Sequence, residues 1–200
     1  MKTLFTLLFA VLLSSSVSIA QQKTWKIDPA HSAVKFNVTH MVISEVEGNF
    51  TSFTGNIASE NVDFTDAKID FVVDVNSINT DNEMRDGHLQ SDDFFNAEKF
   101  PKMTFKGVSM KKVNGNKYEL TGDLTIRNTT KRVTFDVKHG GVIKDGYGNI
   151  KAGFKANTSI NRFDYGLKWN ALTEGVAVVS EDVEILLNLQ FAQEMPKTSK

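Results

Sequence analysis

Strict alternation of apolar and polar residues constrains the fold of this 200-residue chain more than any other feature. In HSAVKFNVTH, the residues Val34, Phe36, Val38 and His40 share one parity, and polar residues such as Lys35 take the other. Because successive side chains of a strand point to opposite faces, a period of two predicts a strand with one buried face. The same alternation recurs along most of the chain and predicts an all-β protein with about eight strands.

Turn sequences separate many of the predicted strands. Asn114-Gly115-Asn116 is a strong hairpin signal. Gly140-Gly141 and the stretch from Asp145 to Asn149 are read as further turns. A switch of parity near Thr51-Ser52 predicts a bulge or a bend in one strand.

Eight antiparallel strands with one apolar face each form either a two-sheet sandwich or a closed barrel. Long strands without any cysteine favour the barrel, because closure removes exposed sheet edges. An eight-stranded barrel is just wide enough to be filled by side chains or to hold one small ligand. The alternation alone leaves a filled core and a lined cavity equally open.

The N-terminus has the form of a secretory signal peptide at residues 1–20. Lys2 precedes an apolar run from Leu4 to Leu13, and Ser18-Ile19-Ala20 has the small-x-small form of a cleavage site. The apolar run is shorter than the roughly 20 residues that span a bilayer. Cleavage near Ala20-Gln21 is therefore expected, with a periplasmic or secreted product that has no stable membrane insertion.

Residues 21–193 are predicted to form one barrel domain, followed by a flexible tail at 194–200. Loss of Lys2 with the signal peptide changes the formal charge from -1 to -2. This balance excludes the basic footprint of a nucleic-acid-binding protein. The absence of cysteine excludes thiolate metal sites and thiol catalysis.

Two long connections break the hairpin pattern, at residues 77–100 and 161–180. The first is crowded with charge, and Thr80-x-x-Glu83 predicts a capping box with Thr80 as the N-cap of a short helix. Such a helical crossover would cover part of the barrel, since long loops in compact domains often serve as lids.

No catalytic motif stands out in the sequence. Asp86, His88 and Asp93 could serve a hydrolase or an isomerase, but nothing places a nucleophile beside a base. The four histidines have no metal-ligand spacing. We therefore predict a protein that is not an enzyme and needs no metal or cofactor.

The motifs of the chain, taken in order, resemble those of the YceI-like family of bacterial periplasmic proteins, also called polyisoprenoid-binding proteins. Each motif is weak alone, but the ordered combination is specific. Asn128 and Arg132 depart from the glycine and proline that are usual in the family. The matching motifs are Trp25-x-Ile27-Asp28-Pro29-x-His31-Ser32, Val46-x-Gly48-x-Phe50, SINT, Arg85-Asp86-x-His88-Leu89, Asp93-Phe94-Phe95, Phe100-Pro101-x-x-Thr104-Phe105, GDLTIRNTTKRV and INRFDYG.

The resemblance implies a lipocalin-like, eight-stranded antiparallel barrel whose elongated hydrophobic cavity binds a long-chain isoprenoid or another lipid amphiphile. We expect the rim or lid to include Phe94, Phe95, Phe163 and Tyr165, and the head-group partners to include His40, Arg85 and Arg162. The expected cavity-lining residues are Phe36, Val38, Phe71, Val73, Phe105, Ile126, Phe135 and Phe154.

Two alternatives to a lipid carrier remain at this level. One is a barrel with a filled core that acts through its surface as a partner of a membrane or redox protein. The other is the hydrolase or isomerase that would use Asp86, His88 and Asp93. The sequence also leaves open whether the chain forms a homodimer.

Overall fold

The computed structural model describes residues 22–195, which form thirteen strands, one α-helix and three short 3-10 helices. The expected signal peptide at residues 1–20 and the last five residues, 196–200, lie outside the described residues. No helix within residues 22–195 is long and apolar enough to cross a membrane. The strands are β1 (Lys23–Ile27), β2 (Ala33–His40), β3 (Ser44–Phe50), β4 (Phe53–Ser59), β5 (Lys68–Asp74), β6 (Ile78–Asn79), β7 (Lys102–Asn114), β8 (Lys117–Ile126), β9 (Thr129–Lys144), β10 (Ile150–Asn161), β11 (Leu172–Thr173), β12 (Val176–Ala177) and β13 (Val179–Gln193). The helices are α1 (Glu83–Gln90) and the 3-10 helices Pro29–His31, Val75–Ser77 and Arg162–Tyr165.

The main sheet closes on itself to form an eight-stranded antiparallel barrel. Three pairs of short strands, β1 with β2, β3 with β4 and β5 with β6, each act as one interrupted strand. Successive strands are neighbours around the barrel, and β13 pairs with both β1 and β2 to complete the ring. The predicted fold class, a barrel with a short helical crossover, is confirmed.

The interruption between β3 and β4 falls at Thr51-Ser52, where the change of parity predicts a bend. The backbone N–H of Thr51 donates to the Ser77 carbonyl at 3.0 Å, and that of Ser52 donates to the Ser77 hydroxyl at 3.0 Å. The bend allows both Phe50 and Phe53 to be buried, at 6% and 8% exposure. This prediction is confirmed.

The predicted turns have different outcomes. Gly115-Asn116 forms the two-residue turn between β7 and β8, as predicted. The turn predicted at Gly140-Gly141 is wrong, because β9 runs through both residues. A Cβ at Gly140 would lie 3.3 Å from the carbonyl oxygen of Gly153 on β10. The glycine therefore permits a close approach of two strands at a bulge, and does not end a strand.

One end of the barrel, here called the sealed end, is closed by packed aromatic rings. Phe64, on the loop between β4 and β5, is 1% exposed and lies against Trp25 and Phe154, with ring centroids 5.3 and 5.1 Å away. His139 stacks on Phe154 at 4.9 Å, and its burial lowers the pKa of the imidazole. A neutral imidazole suits this apolar cluster, because a buried charge there would be unpaired.

The opposite end is covered by residues 83–100 and 162–178, here called the lid. Arg127, in the turn between β8 and β9, joins the two parts of the lid. Its Nη1 atom donates to the carbonyls of Phe94 at 3.0 Å and Gly166 at 2.9 Å, and its Nη2 atom contacts the Asp92 carboxylate at 2.9 Å. The two long connections are therefore held together over the same end of the barrel.

The helix of the lid begins two residues later than the capping box predicts. Asn82 is the N-cap of α1, and its side chain accepts from the Arg85 N–H at 3.0 Å. Asp81 has a φ of 58°, and this left-handed residue separates Thr80 from the helix. The Thr80 hydroxyl donates to the Asp86 carboxylate at 2.5 Å instead. The predicted role of Thr80 is therefore wrong.

Asp28 joins three strands where β1 gives way to β2. Its carboxylate accepts from the Lys151 ammonium on β10 at 2.9 Å, from the Gln190 amide on β13 at 3.1 Å and from His31 at 3.0 Å. Its backbone N–H also donates to the Gln190 carbonyl at 2.8 Å. The hydrogen bond from Lys151 is the main cause that lowers the pKa of Asp28 to about 2, although burial opposes it.

We expect Asp28→Asn to lower the free energy of unfolding by about 2 kcal/mol at neutral pH. A carboxylate with a lowered pKa stabilises the fold above its unfolded-state pKa, near 4, and loses that contribution as the pH falls towards the folded-state value. Urea denaturation should therefore show a difference in the free energy of unfolding between wild type and variant. This difference should disappear as the pH falls from about 4 to about 2.

The matched control is Asp123→Asn, which breaks a more exposed ion pair with Arg132 at 2.6 Å. We expect this change to cost less than about 1 kcal/mol. Equal losses in the two variants, or a gap for Asp28→Asn that is independent of pH, would contradict the role given to Asp28.

Candidate ligand-binding cavity

The barrel encloses a cavity of about 200 Å³ that runs from the lid towards the sealed end. Its wall is almost entirely apolar, and apart from Tyr165 the lining residues with polar side chains are Lys35, Thr104 and Arg162. Pockets for drug-sized ligands usually measure about 300–1,000 Å³. The cavity is therefore a narrow apolar space, suited to a slender group.

The cavity exists because the inward side chains in the middle of the barrel do not fill the barrel interior. On β13, Val183, Ile185, Leu187 and Leu189 line the cavity and remain partly exposed. Phe191 has the same parity but lies nearer the sealed end, where its exposure is only 2%. The packing therefore changes along one strand from an open middle to a filled end, which argues against a fully filled core.

The structure places all eight expected lining residues in the cavity wall. Phe94, Phe95 and Tyr165 of the lid and Arg162 also line it. Residues from distant parts of the sequence thus surround one space, as the family resemblance implies. The eight are Phe36, Val38, Phe71, Val73, Phe105, Ile126, Phe135 and Phe154.

Three further expected site residues lie outside the cavity wall: His40, Arg85 and Phe163. His40 ends β2, where it pairs with Ser44 and Val179. The guanidinium of Arg85 donates to the hydroxyl and carbonyl oxygens of Thr80, at 2.8 and 2.7 Å. The ring of Phe163 lies 4.2 Å from the Arg162 guanidinium. His40 therefore ends a strand, Arg85 braces the start of α1, and Phe163 packs on the guanidinium of Arg162.

Arg162 is buried at 3% exposure and is held by backbone carbonyls. Its Nε atom donates to Ser180 at 2.8 Å, and its Nη1 atom donates to Leu167 at 2.8 Å and Trp169 at 2.7 Å. Burial lowers the pKa of this guanidinium. Because its N–H groups donate to these backbone carbonyls, Arg162 holds the lid against the start of β13.

Tyr165 combines a place in the cavity wall with almost complete burial, at 2% exposure. Burial raises the pKa of its phenol to about 12, so the hydroxyl stays neutral at physiological pH. No hydrogen-bond partner for its Oη atom occurs within residues 22–195. An unsatisfied buried hydroxyl carries a free-energy cost of about 1–3 kcal/mol.

The residues of the enzyme hypothesis do not form a catalytic arrangement. His88 Nε2 lies 2.9 Å from the Asp93 carboxylate, but Asp86 is engaged by Thr80. The His88 ring contacts the ring of Trp169, with centroids 5.4 Å apart, so it braces α1 within the lid. In the part of the chain that the structure describes, no hydroxyl hydrogen-bonds this imidazole, and no three acidic or histidine side chains are grouped to hold a metal.

Several residues of the cavity wall were not predicted from the sequence. The inward positions of β13 could have been found, because EDVEILLNLQF alternates as clearly as the other strands. Leu89, Leu167 and Val179 lie in or next to the lid, where no regular period marks the inward side. Their place in the wall depends on how the connections fold over the barrel end.

Comparison with known proteins places this barrel among proteins of similar sequence and shape. Residues 25–191 match the YceI-like domain. A UPF0312 protein of Staphylococcus aureus strain MSSA476 is 38% identical over 169 residues, covering 82% of this chain and 95% of that protein. The crystal structure of the Campylobacter jejuni YCEI protein is 34% identical, with a TM-score of 0.67, and covers 79% of this chain and 90% of that one.

A more distant solved structure shares the fold. The polyisoprenoid binding domain from Saccharophagus degradans, implicated in plant cell wall breakdown, has a TM-score of 0.65 and 14% sequence identity, and the match covers 85% of this chain and 98% of that domain. From the domain match and the relatives of similar length, we conclude that the chain belongs to the YceI-like domain family.

Proposed function

We propose that this protein binds the hydrocarbon chain of an isoprenoid or a similar amphiphile in its barrel cavity, and carries or stores it without chemical conversion. The observation that carries this proposal is the unfilled apolar space along β13. Each buried methylene contributes about 0.8 kcal/mol, so about ten would contribute roughly 8 kcal/mol before the costs of ordering the ligand. This corresponds to an affinity near micromolar.

The chemistry of the wall supports an apolar ligand chain more strongly than a particular head group. Arg162 is the charged lining residue that is fully buried, and it is already engaged by backbone carbonyls. The distant structural neighbour from Saccharophagus degradans is described as a polyisoprenoid binding domain, which is consistent with a long methyl-branched chain. Recognition of the ligand through its hydrocarbon chain, and not through its head group, is therefore the simplest account of the site.

The two barrel ends favour one orientation of the ligand. At the sealed end, Trp25 and Phe64 are almost completely buried, so the aromatic cluster closes the cavity. At the lid end, Leu89 and Phe95 line the cavity and remain partly exposed. We infer that the apolar tail points to the sealed end and that the polar group lies beneath or outside the lid.

The proposed cellular setting rests on the N-terminal sequence. Removal of residues 1–20 would release the barrel into the periplasm or the medium. In an aqueous compartment, a long apolar chain needs a protein cavity to stay in solution. Export and lipid binding therefore support one another as a single proposal.

The direct test is native mass spectrometry of the purified mature protein, followed by organic extraction. We expect a co-purifying lipid in stoichiometric amount, whose extracted mass identifies the chain. Protein that is repeatedly empty, and that also fails to take up long-chain probes, would overturn the proposed function.

A pair of variants on β13 tests whether the cavity itself holds the ligand. Leu187 lines the cavity, whereas its neighbour Leu186 does not. We expect Leu187→Trp to fill the space and weaken the binding of hexadecan-1-ol by about 10-fold or more, since overpacking displaces neighbouring groups. Leu186→Trp, measured by the same fluorescence displacement titration, should leave binding unchanged. Equal effects of the two changes would argue against binding in the cavity.

Replacement of Arg162 tests whether this residue recognises a head group or holds the lid against β13. We expect Arg162→Met to lower the free energy of unfolding by about 2–4 kcal/mol, because several buried carbonyls lose their donor. The relative affinity for hexadecanoate and hexadecan-1-ol should stay unchanged, with Arg132→Met as the exposed control. A selective loss of hexadecanoate binding would instead assign Arg162 to the head group.

A further inference from the structure

Three phenylalanines of the cavity wall each lie over a glycine of the neighbouring strand. Phe36 on β2 is directly opposite Gly48 on β3, and Phe71 on β5 is directly opposite Gly55 on β4. The third ring, Phe105 on β7, lies diagonally across from Gly122 on β8, which is opposite Gly107. These contacts are called the three Phe–Gly pairs: Phe36–Gly48, Phe71–Gly55 and Phe105–Gly122.

The rings occupy space that any residue other than glycine would need for itself. A Cβ atom at Gly48 would lie 2.3 Å from Phe36 Cζ, and one at Gly55 would lie 2.4 Å from Phe71 Cδ2. At Gly122 the corresponding distance to Phe105 Cζ is 2.2 Å. Since real Cβ atoms essentially never approach another heavy atom closer than 3.0 Å, a side chain at any of these positions would displace the ring.

This arrangement turns three large side chains against the wall. The glycines beneath the rings are buried, whereas Phe36, Phe71 and Phe105 are partly exposed where they line the cavity. A ring that could not rest over its glycine would have to move towards the middle of the barrel. In a cavity of only about 200 Å³, such a movement removes a large part of the free space.

We propose that the three Phe–Gly pairs set the internal width of the cavity, here called its bore, and so determine the class of ligand. A bore of this kind takes a single slender chain, straight or methyl-branched, and excludes fused-ring sterols and two-chain phospholipids. This inference rests on the proposed function, because it specifies which apolar ligands fit the same cavity.

The pair Phe71–Gly55 offers the cleanest test. A Cβ atom at Gly122 would also lie 2.6 Å from the backbone oxygen of Lys106, and one at Gly48 would lie 2.8 Å from Thr80 Cγ2. At Gly55 the three nearest atoms all belong to the Phe71 ring, and the third of them is already 3.5 Å away. The methyl group of Gly55→Ala therefore presses first on the Phe71 ring, and none of its three nearest contacts is a backbone atom or a second side chain.

The experiment compares two probes that share a primary alcohol and the same main-chain length. Hexadecan-1-ol is unbranched, and all-trans-geranylgeraniol carries methyl branches and so needs a wider bore. We expect wild type to bind both, and Gly55→Ala to lose affinity for geranylgeraniol about 10-fold more than for hexadecan-1-ol. Gly87→Ala is the matched control, because Gly87 is exposed on α1 and a Cβ there meets nothing within 4 Å.

A second variant keeps the inference testable if Gly55→Ala folds poorly, as judged by circular dichroism. Phe71→Ala removes the ring and should shift the affinity ratio towards geranylgeraniol and allow cholesterol to bind. In the double variant Gly55→Ala/Phe71→Ala, geranylgeraniol binding should be recovered.

Different results would overturn the proposed function and the role of the three Phe–Gly pairs. A wild type that binds neither probe overturns the proposed function. A wild type that binds both, together with an unchanged affinity ratio in folded Gly55→Ala or in Phe71→Ala, overturns the bore alone. Binding of cholesterol or of a two-chain phospholipid by wild type also overturns it.

Discussion

Closure of the sheet through the pairing of β13 with β1 and β2 is the constraint on which the rest of the structure depends. Eight strands set a barrel diameter that side chains can just fill. Here the inward side chains of β13 in the middle of the barrel are Val183, Ile185, Leu187 and Leu189, and they leave the space in front of them unfilled. Closure thereby converts a set of amphipathic strands into an enclosed apolar space.

The same closure makes the two ends unequal. Phe64 is carried into the sealed end by a loop and completes an aromatic cluster. The other end is covered by two long connections, which two buried or partly buried arginines hold in place. Arg127 and Arg162 both donate mainly to backbone carbonyls, which would otherwise be unsatisfied beneath the lid. Polar side chains in this protein therefore hold the lid in place over the barrel end, and apolar side chains form the cavity wall.

This division accounts for the charged side chains of residues 77–105, which are engaged by other groups of the same stretch. Within residues 77–105, Asp86 is bound by Thr80, His88 by Asp93, and Arg85 by Thr80 again. Each of these groups stabilises the helix or its connection to the lid. Three phenylalanines of the same stretch, Phe94, Phe95 and Phe105, line the cavity together with Leu89, Met103 and Thr104.

Much of this could be predicted from the sequence, because the period of two is a local property. It indicates which side chains face inward, and it correctly placed residues such as Phe36, Phe135 and Phe154 in the barrel interior. The order of the motifs along the chain also indicated the family. Local signals were less reliable where a single residue changes the path of the chain, as at Asp81, which moves the helix start from Thr80 to Asn82.

The alternation in the sequence by itself determined most of the strands, their inward faces and the all-β class, and the family resemblance indicated that the sheet closes into a barrel. Only the tertiary structure decided whether those faces meet or leave a space, because that depends on the barrel diameter and on the reach of side chains from opposite walls. It also decided that His40 and Arg85 lie away from the cavity and that Arg162 is engaged by carbonyls. The pairing of three phenylalanines with three glycines, which joins residues on different strands, is likewise visible only when register and ring orientation are known.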